Sequence, residues 1–241
     1  MKAILVLAST LLVAAAAPAK PFASEVKTID ADFSYSWPAE VSAIPVLVRR
    51  FSADMRKQKA DTLAGGKEFN AERKKRGDEP VGFMSSTAIE TQGQSARLLS
   101  LRIDVGSYTG GAHPNSGTTA LLWERRLKKE IAINDLFLRR AAFSNLARAA
   151  YCKALGKERL KRREGEKIGG QFDECPKFAE LAIMPRDEKR NGRFDTIAFV
   201  ASPYVAGRYV EGEYELELPV TPQLIAAMKP LYRPWFEVQR Q

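Results

Sequence analysis

Gly106-Ser107-Tyr108-Thr109-Gly110-Gly111-Ala112-His113-Pro114-Asn115 lies between two segments that read as strands. Upstream, in Ala96 to Val105, the apolar Leu99, Leu101, Ile103 and Val105 alternate with Ser100, Arg102 and Asp104, so every second side chain points to one face of a sheet. Downstream, Thr118 to Glu124 sets Thr119, Leu121 and Trp123 on one face. Paired glycines between such runs supply the positive φ that a tight antiparallel connection needs. The stretch is therefore a hairpin, and it also carries the chain's single histidine.

Outward from the hairpin, Met84 to Thr91 reads as a further strand, and Thr28 to Trp37 as a half-buried one with Ile29, Ala31, Phe33, Tyr35 and Trp37 on its inner face. Between these, Pro45 suits the first turn of a helix, and Leu47, Val48, Phe51, Met55 and Leu63 form a stripe of helical period. Gly65-Gly66 is expected to break that helix before a second piece reaching Arg76. On the other side, Asn134 or Asp135 is expected to cap a helix that starts near Leu136 and runs through the basic segment to about Glu166. Short strands follow at 182–184, 193–201 and 212–218, then a helix opened by Thr221-Pro222. In the last of these strands, Glu215 and Glu217 alternate with Tyr214, Leu216 and Leu218, which gives it one wet face. Hairpins with segregated helices imply an α+β fold: an antiparallel sheet packed against a long N-terminal helix and a central helical segment.

At the N-terminus, Lys2 precedes an apolar stretch from Ala3 to Ala17, and Ala17-Pro18-Ala19 supplies small residues for cleavage. Residues 1–19 read as a secretory signal peptide, which places the mature chain in the periplasm or outside the cell, with no transmembrane segment left after cleavage. In that oxidising setting, Cys152 and Cys175, the only cysteines, read as one disulfide. A zinc site would need more ligands than two cysteines and one histidine provide, so no metal and no cofactor is expected.

The formal charge of +9 is compatible with nucleic acid, but export directs it to anionic envelope polymers instead. The excess concentrates in 56–76 and 153–167, where interspersed glutamates mark solvated helix faces, and no aromatic residue in 157–167 offers a stacking platform for single strands.

A second motif, Tyr204-Val205-Ala206-Gly207-Arg208-Tyr209-Val210-Glu211-Gly212, has YxxGxYxxG spacing. With the Gly110-Gly111-Ala112-His113 hairpin and the Asn134-Asp135-Leu136-Phe137 stretch, it resembles exported domains of the DUF4163/DUF3298 type, in register over nearly the whole mature chain. Such domains form the extracellular part of lysozyme-sensing anti-sigma factors and the non-catalytic part of some peptidoglycan deacetylases. The resemblance implies a DUF4163-like half at 20–125 and a DUF3298-like half at 126–241, intertwined as one unit. It carries over neither regulation nor catalysis, because the cytoplasmic, membrane and deacetylase segments have no counterpart here. A net charge of +9 also suits a basic lysozyme partner poorly.

The expected ligand-binding surface comprises Tyr108, Gly110, Gly111, His113, Asn115, Tyr204 and Tyr209, with the two tyrosines of the second motif packing on a helix. No catalytic residue is assigned, since the chain holds no GxSxG or HExxH pattern. The expectation is an exported binding or sensing module for a cell-wall glycan, an anionic polymer or an envelope protein. The alternative is an envelope hydrolase or deacetylase using His113 with a carboxylate, which would require such a pair in a cleft.

Overall fold

In the computed structural model, which describes residues 18–239, β1 (Phe22–Lys27) and β2 (Ala31–Trp37) form a hairpin. The short helix α1 (Ala39–Ser42) and the 31-residue α2 (Pro45–Lys75) come next. Strands β3 (Phe83–Gln94), β4 (Leu98–Tyr108), β5 (Asn115–Glu124) and β6 (Lys129–Ile131) then complete a six-stranded sheet in sequential order. After a 3₁₀ turn at Ile133–Leu136 and α3 (Ala142–Arg162), strands β7 (Ala182–Arg186), β8 (Thr196–Ala201) and β9 (Tyr214–Pro219) build a second, three-stranded sheet. The last helix, α4 (Pro222–Ala227), is capped by Thr221, whose hydroxyl accepts the Leu224 N–H. The expected signal peptide lies almost wholly outside the described residues, and no described helix is long and apolar enough to cross a membrane.

The elements stack as α2, first sheet, second sheet, then α3 with α4. Phe33, Tyr35, Trp37, Ile89, Leu99, Leu101, Leu121 and Trp123 on one face of the first sheet meet Leu47 and Phe51 of α2. Its other face receives the second sheet through Ala120, Ala182, Met184, Ala198 and Val200. Beyond that, Ile197, Phe199 and Tyr214 pack against Phe143, Ala147, Tyr151 and Leu155 of α3. The α+β class holds, with one parallel pairing: β2 runs parallel to β3 because a long helix, rather than a tight turn, joins them.

Several local expectations need correction. Gly65 and Gly66 do not break α2; a Cβ on Gly66 would sit 2.2 Å from the Asp30 carbonyl, so the glycine lets the β1–β2 turn press against an unbroken helix. Asp135 caps the 3₁₀ turn by accepting the Ala132 N–H, and α3 begins only at Ala142 and ends at Arg162. Strand β1 has no counterpart in the sequence reading; its half-exposed pattern, with Phe22 stacked on Trp37 at 3.8 Å, falls where apolar alternation is weak.

The glutamates of β9, and Glu213 just before it, do not simply face water. Glu213 and Glu215 pair with Arg102 of β4, and Glu215 and Glu217 with Arg186 of β7, so the row points between the two sheets. Asp104 also binds Arg102. Burial alone would lower the Arg102 pKa, but the hydrogen bonds it donates to Asp104, Glu213 and Glu215 hold the guanidinium charged and its pKa well above the ordinary value.

Candidate functional site

The β4–β5 hairpin and the connection from β8 to β9 meet at one end of the molecule. Gly110 (φ +80°) and Gly111 (φ +145°) turn the hairpin through backbone angles that L side chains rarely adopt. Gly110 also lies against Phe69 of α2, whose ring would be 2.8 Å from an added Cβ. Tyr108 closes the tip by donating its hydroxyl to the Gly111 carbonyl at 3.0 Å. On the other side, β8 exits into a turn, closed by Val205 N–H to Ser202 O, that lifts Tyr204 outward. The Ser202 hydroxyl accepts the Thr118 N–H at 2.9 Å, which ties this turn to β5.

His113, Tyr204 and Tyr209 come together where these loops meet. The His113 ring stacks on Tyr209 at 3.7 Å and 20°, and Tyr204 lies 5.7 Å from Tyr209 and 6.4 Å from His113. His113 Nδ1 is 2.9 Å from the Pro114 carbonyl, Nε2 is 3.3 Å from the Tyr204 hydroxyl, and Tyr209 donates to Pro114 O at 2.7 Å. The two tyrosines thus pack on the hairpin rather than on a helix. Tyr204 adopts φ +71° with 54% of its surface exposed, and Val210 beside the cluster is 84% exposed. Asn115 opens β5 opposite Ser107 and lines a separate hollow with Gln58 and Val105, so it does not join the aromatic group. Among the described residues, no carboxylate pairs with His113, and no group of His, Cys, Asp and Glu is suited to hold a metal ion.

Beneath the cluster, residues that the sequence reading left on a solvated face lock the second motif. The buried stripe of α3 runs Phe143, Ala147, Tyr151, Leu155 and then Arg159, and Arg163 continues the same spacing. Arg159 donates to the Ala206 carbonyl at 2.8 Å, and Arg162 donates to the carbonyls of Glu211 and Glu213. Arg163 holds Glu211 at 2.7 Å and Asp173 at 2.6 Å. Burial would raise the pKa of Glu211, but the Tyr214 hydroxyl, Arg163 and the Arg208 N–H together bring it down to about 2. Gly207 allows this packing, since a Cβ there would lie 2.7 Å from the Glu211 carboxylate. The spacing of four along α3 was the available signal, and charge masked it.

Cys152 of α3 and Cys175 form a disulfide with Cα atoms 5.5 Å apart. It anchors the segment that follows α3 beside Tyr204, where Arg148 donates to the carbonyls of Cys175 and Pro176 at 3.0 Å each.

No family model matches the chain, and no curated protein does. Among solved structures, the chain is similar to a DUF3298 family protein from Pseudomonas aeruginosa PAO1, at 18% identity and a TM-score of 0.54 over 88% of this chain and 94% of that one. It is also similar to a DUF3298 family member from Bacteroides fragilis, at 16% identity and a TM-score of 0.49 over 87% and 93%. The Pseudomonas protein shares the fold of this chain, which is what likeness at that identity establishes.

Proposed function

We propose that this chain is an exported, non-catalytic binding module of the bacterial cell envelope, and that it recognises a saccharide through Tyr204, Tyr209 and His113. The observation that carries the reading is Tyr204, a non-glycine residue held at φ +71° with its ring largely in solvent. Such backbone costs about 1–3 kcal/mol, and an exposed ring recovers little of it by burial. Strained backbone of this kind clusters at functional sites, and of the four described non-glycine residues at positive φ, Tyr204 is the aromatic one. A tyrosine offers an apolar face and a polar tip, which suits a sugar ring with its apolar face and its rim of hydroxyls. Export, read from residues 1–19, supplies the setting. The hydrolase alternative needs a carboxylate beside His113, and both ring nitrogens contact other partners.

Calorimetric titration of the purified protein with tri-N-acetylchitotriose tests the reading. Saturable binding that Tyr204→Ala weakens at least about tenfold, or roughly 1.4 kcal/mol, is the expected result. Absence of binding, or binding indifferent to Tyr204→Ala, would overturn it.

A further inference from the structure

The hairpin that joins β5 to β6 lies at the far end of β5 from the aromatic cluster, about 30 Å away along ten residues of strand. Its turn reads Arg125-Arg126-Leu127-Lys128, and Lys129 opens β6. The turn is pinned from below. Glu124 is fully buried, pairs with Arg97 and accepts the Leu127 N–H, while the Arg125 N–H donates to the Arg97 carbonyl. Lys128 closes the turn in the left-handed region at φ +51°. This framework holds Leu127 with half of its surface in solvent and a cation on either side. The charge here does not cancel. Glu124 takes Arg97, Glu130 takes Arg50, Glu40 faces the half-buried Arg125, and Asp135 sits beside Lys229. Arg126, Lys128 and Lys129 are exposed and have no ion-pair partner among the described residues. Edge strands often carry lysine to discourage pairing with another chain, which accounts for Lys129 but not for an exposed leucine inside a run of cations.

We infer that the β5–β6 tip docks on an anionic lipid surface, with Leu127 entering the headgroup layer and Arg126, Lys128 and Lys129 meeting the headgroups. An apolar apex within a cationic collar is the chemistry of an interfacial anchor: the leucine gains by burial, and each lysine or arginine near the surface adds roughly fivefold in partitioning. A hydrated anionic polymer would satisfy the cations but offers Leu127 nothing, so the leucine selects a bilayer. The net charge of +9 steers the molecule toward such a surface. Docked this way, the molecule points Tyr204, Tyr209 and His113 away from the lipid, at the other end of β5.

Cosedimentation of the purified protein with vesicles of equimolar phosphatidylglycerol and phosphatidylcholine, against vesicles of phosphatidylcholine alone, tests the anchor. Binding to the mixed vesicles only is the expected result. The triple variant Arg126→Gln/Lys128→Gln/Lys129→Gln should weaken that binding about a hundredfold, and Leu127→Ser about tenfold. As a control, Lys153→Gln/Lys157→Gln/Lys161→Gln removes the same charge from exposed positions on α3 and should weaken it less than about fivefold, which separates a local contact from net charge. All these side chains are exposed, so each variant should melt as the wild type does. No binding to the mixed vesicles, equal losses in the two triple variants, or undiminished binding by Leu127→Ser would overturn the anchor. The assay contains no sugar, so its outcome is separate from that of the saccharide reading.

Discussion

At Tyr204 the backbone is strained and the ring is exposed, a combination that predicts opposite effects on stability and binding. Tyr204→Gly should relieve the left-handed strain and melt at or above the wild-type temperature, by up to about 1 kcal/mol, while losing saccharide binding. A variant that melts lower would mean that the ring supports the fold. The hairpin glycines behave differently. Gly110→Val meets both a positive φ and the Phe69 ring, and Gly111→Val meets the φ alone, so both should destabilise by about 1–3 kcal/mol, with Gly110 the more severe. His113→Ala removes one half-exposed ring and its contacts and should cost about 1 kcal/mol in the same thermal melts. Glu211 is expected to make the largest contribution to acid behaviour. Its folded pKa of about 2 lies below the ordinary 4.5, so the ionised carboxylate contributes stability on the order of 3 kcal/mol that is fully present above about pH 4.5 and is lost as the pH falls toward 2. Chemical denaturation from pH 6 to 2 should show a steep loss in the wild type and a flatter profile in Glu211→Gln; parallel profiles would assign the acid transition to other groups.

Among the elements, α3 carries more than its amphipathic pattern suggests. Its apolar stripe was legible in the sequence, but Arg159 and Arg163 extend that stripe, and charged residues in a mixed run read as solvated. Removing Arg163 leaves the buried Glu211 carboxylate with only the longer, half-exposed Arg208 contact at 3.3 Å and leaves Asp173 unpaired, so Arg163→Ala should destabilise by about 3 kcal/mol in urea melts. The disulfide that joins α3 to Cys175 was legible from cysteine count and expected compartment alone. In the isolated protein, the unreduced mass should be two hydrogens lighter than the reduced one, and the double serine variant should lose stability by up to about 3 kcal/mol. The unbroken α2 was not legible, because Gly66 serves a contact with Asp30 that is distant in sequence.

Across the whole molecule, hairpins and helices were readable from period, whereas the division of strands into two stacked sheets was not. Alternation in β9 identifies two faces but cannot say that the glutamate face meets Arg102 of the other sheet and Arg186 of its own. The candidate site was legible as two separate motifs, and only the fold brings Tyr204 and Tyr209 onto His113. The net charge acts at this scale too: retention on isolated anionic cell walls should fall sharply between 0.1 M and 1 M salt, as the Debye length shrinks from about 10 Å to about 3 Å. The most direct test of saccharide recognition at the aromatic cluster is a two-dimensional NMR titration of the aromatic rings with tri-N-acetylchitotriose. Saturable shifts centred on Tyr204, Tyr209 and His113, with the core rings Phe143 and Phe199 unmoved, are the predicted result, and unperturbed ring signals from these three residues at saturating sugar would contradict it.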